Sequence, residues 1–356
     1  MEQQNIAPET EINEVQHKCP GCGSNMRFDI ESGNLLCKHC GTNKEFNNTE
    51  KVERRAMCAD IMKTHKNWTD GTVFRCTNCG AKEVISKKDI SKKCAFCGSG
   101  AVVNTKDLAG IQPDSVIPFR VTKNTAVDNF KRWKKKRWFA PKTFKSQDNN
   151  AVMNPLYSPC WSFSASTQSM YQGQLGRTVT RTNSRGQTTT SIRWFRVGGM
   201  IHQNYLDYFV QSGDRISNAT FSRLKPFNLS QVQVYRTEFL AGIVAEHYSR
   251  NLETCFAQFS GFVKKDLRNR VMMRYAAQHC SFLDVQTQYN DRKFNYVLLP
   301  LYISHYDYKG KLYNFYINGQ SGKIVGSHPK SKAKIGGFVA FISLLVVAAV
   351  ILFGVL

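Results

Sequence analysis

The chain of 356 residues lacks the motifs that mark common enzyme active sites. It has no G-x-x-x-x-G-K-[ST] phosphate loop, no G-x-S-x-G nucleophile elbow and no H-E-x-x-H metalloprotease motif. We therefore predict that the protein is not an enzyme, although a catalytic set assembled only by the fold stays open. The isolated cysteines and histidines are expected to be packed or surface residues: Cys160, Cys255, Cys280, His202, His247, His279, His305 and His328.

Acidic residues are scarce: 26 Asp and Glu stand against 49 Lys and Arg, a formal net charge of +23. A chain this basic is attracted to anionic partners such as a lipid surface or a nucleic acid. Residues 1–15 are locally acidic and contain no apolar run. This composition excludes a secretory signal there and predicts a flexible acidic tail.

Eight of the 12 cysteines form two copies of the pattern C-x2-C-x14-C-x2-C, with glycine after the second cysteine of every pair. Four thiolates are the tetrahedral ligand set of structural Zn2+, and the 14-residue gap suits two short strands joined by a turn. We predict two structural Zn2+ sites in two zinc ribbons, over residues 16–47 and 73–104. The ligands are Cys19, Cys22, Cys37 and Cys40, and then Cys76, Cys79, Cys94 and Cys97.

Three alternatives to this ligand set are open from the sequence. The cysteines of each copy could pair as disulfides, although the repeated spacing and glycines favour a metal. His39 could replace a cysteine as a ligand in the first copy. Cys58 and His65, in the predicted linker over residues 48–72, could belong to a third site, but no partner pair accompanies them.

Residues 335–356 form an uncharged run rich in Val, Leu, Ile, Phe and Ala. As a helix it would be about 33 Å long, enough to cross a hydrocarbon core of about 30 Å. Lys330, Lys332 and Lys334 precede it and favour a cytoplasmic position for that end. The run predicts a tail-anchored protein of the inner (cytoplasmic) membrane, single-pass, with its N-terminal bulk in the cytosol. The alternative is a buried core helix.

The sequence over residues 113–330 predicts one α+β domain of antiparallel strands separated by helices. Helices are expected at about 123–137, stopped by Pro141, and over about 251–277, where apolar residues recur at helical spacing. Strands are expected at 116–119, 157–163, 297–303 and 312–317, with a meander over 165–212 whose hairpin tip is at 183–186. The fold class is thus α+β: two small β zinc ribbons, a mixed antiparallel domain and a C-terminal transmembrane helix.

The densest charge cluster lies at the end of the first predicted helix, where Phe130 and Trp133 can share a buried face. Three interpretations are open: a solvated helix face, attraction to anionic lipid headgroups, or contact with nucleic-acid phosphates. The residues concerned are Lys131, Arg132, Lys134, Lys135, Lys136 and Arg137.

Short motifs accompany the cysteine quartets over residues 16–330. They are Val116-Ile117-Pro118-Phe119, Phe130-x2-Trp133, Arg137-Trp138-Phe139-Ala140-Pro141, Tyr157-x-Pro159-x-Trp161, Leu240-Ala241-Gly242 and the run from Tyr313 to Gly326. Together these features resemble bacterial transcription factor IIB-type zinc-ribbon proteins, some of which are labelled primosomal protein N-prime or superfamily II helicase-like. Cys160 departs from the family, which often has an aromatic or aliphatic residue at that position.

The resemblance implies a non-enzymatic zinc-binding protein, because the chain lacks the phosphate loop of a helicase motor. Some family members have membrane spans and are encoded near membrane-organising proteins of the SPFH (stomatin- or flotillin-like) and phage-shock types. We therefore predict a membrane-anchored zinc-ribbon adaptor that recruits protein partners. The alternative function is a nucleic-acid-binding protein associated with transcription or replication.

Overall fold

The structure is a computed structural model. It describes residues 17–45, 48, 50–57, 71–86, 93–100, 102–104, 111–146, 153–308 and 311–354. The predicted flexible tail over residues 1–15 lies outside these residues. So does most of the predicted linker, with Cys58 and His65.

The mixed α+β class is confirmed, with five α-helices and two sheets among the described residues. The strands are β1 Met26–Phe28, β2 Leu35–Cys37, β3 Asn43–Lys44, β4 Arg55–Ala56, β5 Gly71–Cys76, β6 Lys82–Ser86, β7 Val102–Asn104, β8 Ser115–Val116, β9 Asn154–Thr182, β10 Thr188–Gln211, β11 Gln233–Val234, β12 Val244–Glu246, β13 His279–Tyr308, β14 Lys311–Asn318 and β15 Ile324–Gly326. The helices are α1 Lys123–Lys135, α2 Lys142–Ser146, α3 Asn218–Leu224, α4 Leu252–Arg274 and α5 Lys332–Gly354.

A three-stranded sheet holds β1, β2 and β3, and a twelve-stranded sheet holds the other strands. The larger sheet is built around β9, which pairs antiparallel with β10 on one side and β13 on the other. These three strands contain 29, 24 and 30 residues, far above the usual strand length of about 5–6. They form the body on which the other elements are placed.

The predicted meander over 165–212 is instead one long hairpin of β9 and β10. Its turn lies at the predicted tip, where the Asn183 side chain accepts hydrogen bonds from the N–H groups of Arg185 and Gln187. The glycines inside the hairpin do not turn the chain. A Cβ on Gly173 would lie 2.5 Å from the Phe282 carbonyl oxygen, so glycine is required there by the close approach of β13.

Helix α4 covers one face of the long strands, close to the predicted range of 251–277. Its N-cap is Asn251, whose side chain accepts a hydrogen bond from the Thr254 N–H. The buried residues recur every three or four positions, as the sequence predicts, and the Phe259 ring stacks 5.6 Å from the Phe163 ring of β9. They are Leu252, Cys255, Phe259, Val263, Leu267 and Val271.

Helix α1 begins at the predicted position, and the Thr122 hydroxyl caps it by accepting a hydrogen bond from the Thr125 N–H. The strand predicted at 116–119 is shorter, because β8 ends at Val116. Pro118 has no N–H and cannot continue a hydrogen-bonded ladder. The Phe130 ring lies 4.9 Å from the ring of Phe315, which joins α1 to β14.

Helix α5 is the one helix among the described residues that is long and apolar enough to cross a membrane. Its window Lys332–Ala349 has a mean hydropathy of 1.8, and none of it is buried against the body. The predicted alternative of a buried core helix is therefore wrong. An apolar helix with no protein around it is suited to a lipid environment.

Candidate metal centres

Each cysteine pair lies in a tight turn of the same geometry. The glycine that follows the pair has a φ between 70° and 78° in all four turns, a conformation that glycine adopts without steric cost. Its N–H donates to the carbonyl oxygen of the first cysteine at 2.8–2.9 Å. The turn thereby directs both sulfurs of a pair to one side, which is why the C-x2-C-G pattern recurs four times.

The four sulfurs of each copy converge. In the first centre the Sγ atoms of Cys19 and Cys40 are 3.4 Å apart and those of Cys22 and Cys37 3.5 Å. In the second centre the two corresponding distances are both 3.7 Å, and all four Sγ atoms of each centre lie within 4.8 Å of one another. A tetrahedral Zn2+ with metal–sulfur distances of about 2.3 Å needs sulfurs about 3.8 Å apart. Both quartets therefore fit a tetrahedral metal ion.

The alternative ligand sets are not seen among the described residues. All eight sulfurs are free thiols, at separations well above the 2.05 Å of a disulfide bond. His39 is exposed on the first ribbon and lies outside the group of converging ligand atoms. Among the residues that the structure describes, the eight predicted cysteines are thus the groups that converge as ligands at these two sites.

The first centre is open to solvent on one side. Cys22 and Cys40 are exposed, and the Sγ of Cys40 lies 3.0 Å from the Thr42 hydroxyl. Burial would raise the pKa of Cys19, but hydrogen bonds from Thr42 and from the N–H groups of Cys22 and Gly21 outweigh it and lower the pKa to about 6. These donors stabilise the thiolate that a metal requires.

The second centre has a buried carboxyl group beside it. Glu83 is 1% exposed, and its Oε1 lies 3.1 Å from the Cys94 Sγ and 2.8 Å from the Ala95 nitrogen. Burial raises the pKa of Glu83. Burial and the neighbouring Glu83 carboxylate raise the pKa of Cys94. If a metal binds Cys94 as a thiolate, the sulfur has no proton to donate, and the Glu83 carboxyl, whose raised pKa favours its neutral form, would be the donor in this contact.

Replacing Glu83 tests that contact. Glu83→Leu removes the donor, and we expect the affinity of the second centre for Zn2+ to fall about 10- to 100-fold. Glu83→Gln keeps an N–H donor and should stay close to the wild-type affinity. Competition with a chromophoric chelator measures both variants, with the first centre of the same chain as the internal control. Equal affinities for the Leu and Gln variants would contradict the role of the donor.

The second ribbon is continuous with the large sheet. Strand β6 pairs with β12, which places Glu83 opposite Glu246, and β5 and β7 extend the same sheet. Arg215 Nη1 donates to the Cys79 carbonyl oxygen at 2.6 Å. The body also covers both glycine turns. A Cβ on Gly80 would lie 3.3 Å from Arg215, and one on Gly98 would lie 2.8 Å from His305.

Glu246 is a second buried acid in this region, and the stability of the folded chain should depend on pH through it. Burial raises its pKa to about 7, with Asp214 adding to the effect, while a free glutamate has a pKa near 4.3. Between these values the folded chain keeps a proton that the unfolded chain releases, so stability falls as the pH rises. We expect Glu246→Gln to remove this loss, so that its melting temperature relative to wild type is higher at pH 8 than at pH 5. Glu253→Gln, at an exposed site on α4, is the control, and an equal shift in both variants would refute the assignment.

The first ribbon attaches to the body along one side. The Phe28 N–H donates to the Ala241 carbonyl oxygen at 2.9 Å, and the Phe28 ring lies 5.2 Å from the ring of Phe239. Its two glycine turns face outward, since a Cβ on Gly23 or Gly41 would meet no atom within 4 Å. Two ribbons with the same spacing therefore have different surroundings: the turns of the first are open, and those of the second are packed against the body.

The predicted basic cluster divides into two groups. Lys131, Arg132 and Lys135 are exposed on α1, and so is Lys136, the residue that follows it. Lys134 is 4% exposed, with its Nζ 5.6 Å from the centres of the Phe130 and Phe144 rings. Arg137 stacks on the Trp133 ring at 4.5 Å. Four of the six predicted residues are thus available to an anionic surface, while Lys134 is part of the core.

The lone cysteines and histidines do not assemble into a further ligand group within the described chain. Cys160 and Cys255 are buried, and the Cys160 thiol donates to the Val210 carbonyl oxygen. Burial raises the pKa of both thiols, which keeps them protonated. This placement agrees with the packed role expected for them.

A basic surface that the sequence analysis missed lies at the end of the long hairpin. Residues 177–193, which we call the arm, extend past the last partner of β13 at Gly176 and are almost entirely exposed. The arm carries Arg177, Arg181, Arg185 and Arg193, and the sequence has no Asp or Glu between Asp148 and Asp207. The absence of acidic residues over this stretch is the sequence feature that indicates the arm. The arginines are spread along two strands, so they do not form a recognisable basic cluster in the sequence.

Fold and site together define a protein with two four-cysteine groups that could each hold a metal ion, a mixed α+β body and one apolar C-terminal helix. In comparisons with known proteins, the chain is similar to the uncharacterized protein YdjG of Bacillus subtilis (strain 168). The two are 27% identical over 330 residues, which cover 91% of this chain and 93% of the relative. No protein-family model and no solved structure matches the chain.

Proposed function

We propose that the protein is a non-enzymatic adaptor anchored in the cytoplasmic membrane by α5, with Zn2+ in both quartets and the first ribbon as its recognition surface. The observation that carries the proposal is the difference between the ribbons. The second ribbon is packed into the body, whereas the cysteine turns of the first ribbon are open, and the apolar helix α5 is not buried against the body.

The charge pattern supports the orientation. Lys330, Lys332 and Lys334 flank the N-terminal end of α5, and basic flanks remain on the cytoplasmic side. The cytosol is also the compartment in which eight thiols stay reduced and available to Zn2+. In this orientation both ribbons and the body face the cytosol.

A site-specific photo-crosslinker tests the recognition role. We place it at Lys38, exposed on the first ribbon, and at Lys264, exposed on α4, in the full chain in native membranes. The Lys38 position should capture one discrete protein, and the family resemblance favours an SPFH- or phage-shock-type partner. Capture should be lost in the Cys19→Ser/Cys22→Ser background. Equal capture at both positions, or capture that survives loss of the first metal centre, would refute the proposal.

The arm favours nucleic-acid binding as a second candidate function. Four arginines on an exposed two-stranded ribbon without acidic residues suit contacts with phosphates. If all four engage DNA, affinity should fall about 100-fold between 50 and 200 mM salt. Fluorescence anisotropy with the Arg181→Gln/Arg185→Gln/Arg193→Gln variant should show a shallower salt dependence. A wild-type chain that does not bind DNA at low salt would exclude this function.

A further inference from the structure

The first turns of α5 are fixed to the loop that follows α1. The Ser331 N–H donates to the Phe139 carbonyl oxygen at 2.8 Å, and Lys334 Nζ donates to the Ala140 carbonyl oxygen at 2.7 Å and to that of Trp138 at 3.3 Å. These contacts set the position of the loop relative to the helix. Wherever the start of α5 lies in a membrane, this loop lies beside it.

An aromatic contact continues along the helix. The rings of Phe139 and Phe338 are 5.5 Å apart, and Phe338 lies one turn inside the apolar run. The loop therefore reaches the depth at which the hydrocarbon begins. Trp138 in the same loop is 75% exposed, an unusual state for tryptophan in water. Tryptophan is enriched at membrane–water interfaces, where its ring and its N–H both find suitable surroundings.

The exposed charges of α1 lie immediately before this loop. Lys131, Arg132, Lys135 and Lys136 occupy the last turns of the helix and the residue after it, within two turns of Trp138. No acidic residue occurs between Asp128 and Asp148. An interfacial tryptophan with four adjacent cations is the combination that anionic headgroups attract.

We propose that Trp138, Lys131, Arg132, Lys135 and Lys136 form a headgroup patch that binds anionic phospholipids beside α5. The inference rests on the membrane anchor of the proposed function and adds a second membrane contact. The patch holds the body against the bilayer in one orientation, and a single helix could not do this alone. Contact with the surface, rather than with nucleic acid, is favoured because the hydrogen bonds to α5 keep the patch at the membrane.

Lipid selectivity of the full chain tests the charges. The chain is reconstituted in vesicles of equal phosphatidylglycerol and phosphatidylcholine, extracted mildly, and its bound lipids are counted by mass spectrometry. Wild type should retain phosphatidylglycerol several-fold above its bulk share. Changing Lys131, Arg132, Lys135 and Lys136 to Gln should return the ratio to the bulk value. The matched control changes Arg181, Arg185, Arg193 and Arg196 to Gln and should retain the enrichment.

Fluorescence quenching tests the position of Trp138 independently. In nanodiscs with brominated lipids, we expect part of the tryptophan emission to be quenched, and Trp138→Phe should remove that quenched part. Trp194→Phe, next to the arm, should leave it unchanged.

The outcomes separate this inference from the anchor. A bulk lipid ratio in wild type, or unchanged quenching in Trp138→Phe, overturns the headgroup patch while the chain remains in the membrane. Oligonucleotide binding lost in the four-Gln patch variant, without any change in lipid ratio, would assign these cations to nucleic acid instead. A wild-type chain that does not enter vesicles overturns both the anchor and the patch.

Discussion

Removal of the second metal centre is expected to destabilise the body strongly, whereas removal of the first should leave its stability nearly unchanged. Cys76→Ser/Cys79→Ser and Cys19→Ser/Cys22→Ser each delete two ligands of one quartet, so both variants should fall from two Zn2+ per chain to about one. The second ribbon contributes three strands to the large sheet, and Arg215 and His305 contact its turns. Binding of a structural Zn2+ contributes to folding directly, so its loss should propagate into the strands that pair with β6.

The expected magnitudes differ accordingly. For the Cys76/Cys79 variant we expect a loss of at least ~3 kcal/mol, or a fall of about 10 °C in the melting temperature of the body. For the Cys19/Cys22 variant, the body should melt within about 2 °C of wild type. The first ribbon forms its own three-stranded sheet and contacts the body along one side, at Phe28, so the large sheet does not depend on it. Differential scanning calorimetry with parallel metal analysis measures both. Equal destabilisation would show that the ribbons are energetically equivalent, and unchanged zinc content would refute the ligand assignment.

Deletion of α5 is expected to move the protein from the membrane fraction to the soluble fraction almost completely. The helix exposes Phe341, Leu344, Val347 and other large apolar side chains to its surroundings, and its apolar stretch is not buried against the body. Such a helix is stable in lipid because its backbone hydrogen bonds are internal and its side chains are apolar.

A milder change makes the same test without truncation. Leu344→Arg/Val347→Arg places two charges near the centre of the span, at a cost of about 2.5–3.5 kcal/mol each, and should abolish insertion. Leu344→Ala/Val347→Ala is the matched control and should remain in the membrane. Fractionation followed by alkaline carbonate extraction distinguishes insertion from surface binding. Wild-type protein found mainly in the soluble fraction would refute the anchor.

Features that depend on local sequence could be predicted, and features that depend on distant pairing could not. The two quartets follow from spacing and glycine alone, and α4 follows from the recurrence of apolar residues at helical intervals. The docking of the second ribbon depends on the pairing of Glu83 with Glu246, two residues that are far apart in the sequence. Nothing near Glu83 in the sequence indicates that it is buried beside Cys94.

The basic cluster shows the same limit at the level of single residues. Lys134 and Lys135 are adjacent in the same basic run, yet Lys134 is covered by Phe130 and Phe144, because α2 folds back across that face of α1. The meander predicted over residues 165–212 is one long hairpin, because the length of each strand depends on its partner across the sheet and not on its local composition. Here Gly173 and Gly176 mark positions where neighbouring strands approach too closely for a side chain.

The long strand β9 connects the part of the body near α5 with the arm. The strand begins opposite Ile303, in the part of β13 that pairs with β14, and β14 packs on the α1 helix that leads to the base of α5. The strand is 29 residues long and ends within the arginine-bearing arm. Its length along the backbone is roughly 90 Å. A protein held at one end of this strand can thus place the other end far from that point along a continuous hydrogen-bonded ladder. Any ligand bound by the arm would be kept at a fixed spacing from the headgroup layer rather than on a loose tether.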